Sequence, residues 1–266
     1  MSVQTLQTLR AQRWRWQPWR AALGVYLALP AHWTVQADDT EALQEAQACF
    51  DAWCTAHAGE RCELALGAAA TLWQVAPMAS AGVADLQQAW DQAFAHWAHY
   101  LDVDLREPER LAGWHLQEAQ GPGSTVLAAT PLALTEGLMA VAQAHGVRVD
   151  WMGPWWARGL ARWLAQAGAA PEADVLLVEP GWTWRARVQP PTARAGTWLR
   201  RAPTAWTLLH LGVDGGRALN GAAGRPGTLA RLALEAPGAT GGQAACVSVD
   251  LGVLQGRAPM WGGPCP

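Results

Sequence analysis

The sequence predicts an α/β protein, and three observations carry the prediction. Between residues 111 and 167, strand-like and helix-like patterns alternate with short connections. A hairpin pattern follows at 174–188. The chain has 266 residues, of which 51% are hydrophobic and 15% charged, so it can bury a sizeable core in one large domain or two lobes.

Residues 1–20 read as a basic, tryptophan-bearing arm, with Arg10, Arg13, Arg15 and Arg20 ahead of an apolar stretch. From 21 to 36 the pattern alternates loosely, as a pair of strands does. A helix is expected over 41–57, with Asp39 or Thr40 as its cap. Short strands are expected at 62–66 and 71–75, with a turn at Gly67–Ala68 between them. In 86–101 the residues Leu86, Trp90, Phe94, Trp97 and Leu101 recur at spacings of four, four, three and four, which puts one helical face in the core. Asp85 stands where a cap belongs. Strands at 111–119 and 124–129 flank Gly121-Pro122-Gly123. Thr130 then caps and Pro131 opens a helix that Gly146 ends. Val147, Val149 and Trp151 alternate as a strand, and a helix over 155–167 gathers Trp156, Leu160 and Trp163 or Leu164 on one side. The hairpin 174–179 and 182–188 turns at Pro180-Gly181. Beyond it we expect short helices at 204–211 and 229–234, a glycine-rich loop at 212–227 between them, and a strand at 245–251.

Composition excludes several chemistries. All 19 basic residues are arginine, which removes the phosphate-loop lysine, the Schiff-base lysine and the Ser-Lys dyad. The formal charge of −3 offers no field for nucleic acid. Cys49, Cys54, Cys62, Cys246 and Cys265 contain no CxxC pair, so no zinc site is expected and the thiols read as reduced and mostly buried. No serine stands in GxSxG. Cys54 and His57, three apart on a helix, have no third group to orient them. His96 and His99 share a helical spacing without a third metal ligand, and Asp102 with Asp104 reads as solvated surface. No catalytic or metal-binding residue is therefore assigned. No run of eighteen apolar residues appears. An exported binding module remains an alternative, because Val35-Gln36-Ala37 has the form of a cleavage site after the arginine-led apolar stretch.

Four stretches carry a family resemblance: LQQAWDQAFAHWAHYL at 86–101, VLAATPLALTEGLMAVAQAHG at 126–146, VRVDWMGPWWARGLARWL at 147–164 and DVLLVEPGWTWRARV at 174–188. In order of elements, over about half the chain, they resemble the actin-like PilM family of type IV pilus assembly proteins and the cytoplasmic domain of GspL-type secretion proteins. The resemblance implies a degenerate actin-like, ribonuclease H-like fold of two lobes, with mixed sheets flanked by helices. A first lobe would span 21–170 and a second, reduced lobe 171–266. It also implies a cytoplasmic adaptor at the inner face of a bacterial inner membrane, which receives the cytoplasmic tail of a PilN-like membrane partner and can form oligomers.

The resemblance further implies where a nucleotide would sit, namely at Gly24 in the first hairpin, at Glu179 and Gly181 in place of the family's Asp-x-Gly, and at Gly215 and Gly216. The first hairpin has no carboxylate, however, and Pro180 removes a backbone donor from the loop that would face phosphate. ATP and magnesium are thus not expected as required cofactors, and an active ATPase or kinase-like enzyme using Glu179 is the alternative. Trp182 and Trp184 share one strand face, and Thr183, Arg185 and Arg187 share the other; one of the two faces is expected to meet a partner, with Trp182, Trp184, Arg185 and Arg187 as the candidate partner-binding residues. With two Phe and two Tyr against eighteen Trp, most of the tryptophans are expected to be core.

Overall fold

The structure is a computed structural model that describes residues 22–29, 40–77, 83–101, 111–121, 124–166, 173–180, 182–189, 207–213, 228–234 and 244–251. Among the described residues, three mixed or antiparallel sheets carry the helices, two of four strands and one of three. The arm at 1–20, the segment 30–39, Asp102, Asp104, Gly181, Gly215, Gly216 and Cys265 lie outside the described residues.

In the first sheet, β1 (Leu23–Ala28) runs parallel to β2 (Arg61–Leu66), which runs parallel to β6 (Arg148–Pro154). Both faces are buried, as parallel sheets require. Val25, Leu27, Cys62, Leu64 and Val149 face α1 (Thr40–Ala56) and α3 (Leu132–Ala144), whereas Tyr26, Ala28, Ala65 and Trp151 face a second core. On α1 the residues Leu43, Ala46, Phe50, Trp53 and Cys54 recur at three- and four-residue steps, and all are buried. Gly146 ends α3 at φ +65, a left-handed conformation that glycine takes at no steric cost. The register shifts between Cys62 and Glu63 opposite Val149 and Trp151, which leaves Asp150 out of step. There it pairs with Arg61 (2.6 Å) and Arg148 (2.9 Å).

The second sheet pairs β3 (Leu72–Pro77) and β4 (Trp114–Gly121) on either side of β5 (Ser124–Pro131), all antiparallel. Helix α2 (Val83–Leu101) covers it with Ala89, Ala93, Phe94 and Trp97, so the expected apolar seam is a core seam. The helix starts two residues ahead of Asp85, which therefore lies within it rather than capping it. Thr130 is not a cap either. It lies within β5, with its hydroxyl 3.2 Å from that of Thr71, and α3 starts after Pro131 with no side-chain cap.

In the third sheet, β7 (Ala173–Glu179) and β8 (Trp182–Gln189) form the expected hairpin. The residues on either side of it correct the sequence expectation. Thr207–Val213 is a strand, β9, antiparallel to β8, and Thr228–Ala233 is a strand, β10, parallel to β7. Both are short apolar runs, for which periodicity cannot separate strand from helix. Two open hairpin edges supply partners that outweigh the helix preference of Leu and Ala. The expected strand at 245–251 is shorter, Ala245–Ser248. It returns as β11 to pair antiparallel with β1, a sheet otherwise built from residues 23–154. Helix α4 (Trp155–Gln166) packs against the first and third sheets with Trp155, Trp156 and Leu160, in one core with Val175, Leu177, Trp184 and Ala186. Among the described residues, no helix is long and apolar enough to cross a membrane.

Candidate functional site

Glu179 closes β7 at the position where the resemblance places a metal-handling carboxylate, and its geometry is unusual for such a role. The residue is 4% exposed. Its Oε2 accepts hydrogen bonds from the Tyr26 hydroxyl at 2.8 Å and from the backbone N–H of Ala68 at 3.3 Å. Its Oε1 accepts one from the Trp184 indole N–H. These donors come from β1, from the 3-10 turn Ala68–Ala70 after β2, and from β8. One carboxyl group therefore ties the first sheet to the third.

Electrostatics at this point are those of an interior group. Burial pushes the Glu179 carboxyl up to about 7, against the lowering effect of the hydrogen bonds from Trp184, Tyr26 and Ala68. Tyr26 is raised far above the ordinary tyrosine range by burial first, then by the charge of Glu179 and their hydrogen bond. Around Trp184 stand Trp73, with ring centroids 5.0 Å apart and edge-on, and Trp182, stacked at 5.9 Å. Trp156 meets Trp73 at 5.9 Å. The indole N–H groups of Trp156 and Trp182 have no acceptor among the described residues.

Of the expected nucleotide positions, Gly24 and Glu179 lie among the described residues. Glu179 is turned inward. Gly24 lies against the backbone of 249–251, where an added Cβ would stand 2.2 Å from the Val249 carbonyl oxygen. Gly181, Gly215 and Gly216 lie outside the described residues.

Of the expected partner residues, Trp184 is 2% exposed and belongs to the core. Trp182 packs half-buried beside it. Arg185 and Arg187 occupy the opposite face, half-exposed, and share the Asp174 carboxylate at 2.5 and 2.9 Å. Hydrogen bonding by Arg187, reinforced by Arg185, holds the Asp174 carboxyl below the usual carboxylate range. Its stabilising effect is therefore present above the unfolded-state value and is lost as pH falls through the folded one. Asp174→Asn is expected to cost about 1 kcal/mol at pH 7 and progressively less as pH falls below the ordinary carboxylate range, read by urea unfolding across that range.

Cys54 is fully buried, and burial, with the nearby Asp51 charge adding to it, pushes its thiol up to about 11, away from nucleophilic use. His57 stacks on Trp53 at 4.3 Å. Cys49, Cys54, Cys62 and Cys246 are free thiols. No group of three or more metal-ligating side chains is assembled among the described residues. Arg158 on α4 pairs with Glu63 at 2.7 Å and lies over the Trp151 ring at 4.5 Å. The partners of Glu179 were not legible beforehand, since Tyr26 lies 153 residues away in sequence.

These features define a mixed α/β protein whose sheets are joined by a buried carboxyl group. No known family's sequence profile matches the chain, and no curated protein matches it. Among solved structures, it is similar to the cytoplasmic domain of EpsL, an inner-membrane component of the type II secretion system of Vibrio cholerae. The identity is 9% and the TM-score 0.35, over 71% of this chain and 71% of that one. It is also similar to the PilM-PilN type IV pilus biogenesis complex, at 12% identity and a TM-score of 0.38, over 63% of this chain and 47% of that one. Both belong to the kinds of protein that the order of elements in the sequence resembles.

Proposed function

We propose that this chain is a non-enzymatic adaptor of a type IV pilus or type II secretion-like assembly platform. It is a degenerate actin-like protein of two lobes that works at the cytoplasmic face of an inner membrane by holding the tail of a PilN-like membrane partner. The observation that carries the reading is the inward-turned Glu179. The carboxylate that would face magnesium and phosphate in a nucleotide-handling relative is 4% exposed, and both its oxygens are engaged by protein donors. The absence of lysine from the sequence supports the same reading, because it removes the compact cation most often used to grip a terminal phosphate. A tail captured in extended form gains backbone hydrogen bonds at a sheet edge, and the outer strands of the sheets among the described residues are where such a tail would pair.

Two measurements on the full chain test this. Calorimetry with Mg-ATP is expected to give no saturable heat, and co-expression with an inner-membrane platform protein bearing a cytoplasmic tail is expected to yield a complex that tail deletion abolishes. Saturable ATP binding that is lost in Glu179→Ala, with no platform protein retained, would overturn the reading in favour of an actin-like ATPase.

A further inference from the structure

Within the first sheet, β11 is held differently from its neighbours. Strands β1, β2 and β6 each bury most of their residues, whereas Ala245, Cys246 and Val247 of β11 are half-buried and Ser248 is exposed. Main-chain bonding carries its attachment. Val247 and Ala245 lie opposite Tyr26 and Ala28, and just past the strand the Val249 N–H donates to the Gly24 carbonyl at 2.9 Å. Bonded and unbonded pairs alternate along an antiparallel ladder, so this contact sets the Val247 amide against Tyr26. Helix α1 adds a clamp. Its Glu45 carboxylate accepts from the Ala244 N–H at 3.4 Å, and its Cys49 thiol donates to the Ala244 carbonyl at 3.5 Å, so both main-chain groups of one residue are gripped. Two side chains are read as well. The Ser248 hydroxyl accepts from the Trp53 indole N–H at 3.0 Å, and the buried Leu251 packs against Gly24. Since any extended peptide carries the same main-chain groups, most of what holds β11 is open to another chain.

We propose that β11 is a displaceable strap, and that the edge of β1 beside α1 docks an extended segment of a partner protein in its place. The kind of partner rests on the adaptor reading; the site and its chemistry come from the strap. The occupant runs antiparallel to β1. It carries small or β-branched residues where Ala245, Val247 and Val249 pack on the Tyr26 core, and a small residue where Cys246 meets the α1 core. A hydroxyl takes the place of Ser248 and an aliphatic side chain that of Leu251. Strap and partner compete for one edge, so the partner's apparent affinity is scaled by the fraction of molecules whose strap is released.

The probe is a fluorescein-labelled peptide of residues 244–251, titrated under reducing conditions into the intact chain and into full-length Val247→Pro, whose strap lacks the amide that faces Tyr26. Anisotropy is expected to show binding about tenfold tighter in Val247→Pro than in the unaltered chain. The same peptide with Val247→Pro should not bind. Hydrogen–deuterium exchange of the variant should show residues 22–29 protected when the peptide is added. Leu251→Ala loosens the strap more gently and decides the matter if the proline variant does not fold. In the unaltered chain, amides of 245–249 are expected to exchange at least about tenfold faster than those of β2. Equal affinity for the unaltered chain and the folded variants, binding that leaves 22–29 unprotected, or strap amides as slow as those of β2 would each overturn the proposal. The probe involves no platform protein, so the two readings fail separately: a peptide that does not bind sinks the strap even where a platform tail is retained, and a platform protein that is not retained sinks the adaptor but not the docking edge.

Discussion

Trp184→Ala is expected to lower the free energy of unfolding by about 3–5 kcal/mol, among the largest effects of any single substitution in this chain. The indole is 2% exposed and packs against Trp73 and Trp182. Truncation removes its apolar burial and leaves a cavity in the core shared by the first and third sheets. It also takes from the Glu179 Oε1 its donor, in a place where an unpaired carboxyl oxygen is costly. Trp184→Phe separates the two contributions, because phenylalanine keeps most of the packing and none of the hydrogen bonding. That variant is expected to lose about 1–2 kcal/mol. Urea unfolding with an unchanged slope is the measurement. A loss under about 1 kcal/mol for the alanine variant would mean that the inner face of the hairpin is not the packed surface described here.

Why that face reads differently in sequence and in structure is a question of range. The alternation in Trp182, Trp184, Ala186 and Val188 correctly separates one face from the other, because the two-residue period of a strand is local. Which face is inside depends on α4 and β3, whose aromatic residues arrive from elsewhere in the chain. The same distinction sorts the other elements. Helices α1 and α2 were legible because each carries a long apolar stripe, and the end of α3 because Gly146 marks it. Strands β9 and β10 were not, because segments of seven and six residues with only four or five apolar positions fit either a helix or a strand until a sheet edge is offered. The role of Glu179 was the least accessible. Its position by resemblance suggested a solvent-facing metal ligand, and only the approach of Tyr26, Ala68 and Trp184 turns it into an interior tie.

Gly24 was the other expected nucleotide residue, and substitution there distinguishes packing from ligand contact. In β1 its carbonyl accepts the Val249 N–H at 2.9 Å, and an added Cβ would stand 2.2 Å from the Val249 carbonyl oxygen and 2.9 Å from the Leu251 side chain. The nearest obstruction is backbone, held by that same hydrogen bond, so it cannot yield without loosening the chain that follows β11. Gly24→Ala is therefore expected to cost at least about 2 kcal/mol, as overpacking of a tight site does. Gly137 on α3 is the control. Its added Cβ would stand 2.0 Å from the Gln47 side-chain amide, but that is the free end of a flexible side chain, which can swing aside. The gain in helix propensity, up to about 1 kcal/mol, then makes Gly137→Ala neutral or stabilising. Thermal unfolding of the two variants side by side reads the contrast directly. If Gly24 were instead kept bare for a phosphate, alanine would leave the melting temperature in place and weaken nucleotide binding, and packing would not be what keeps this position glycine.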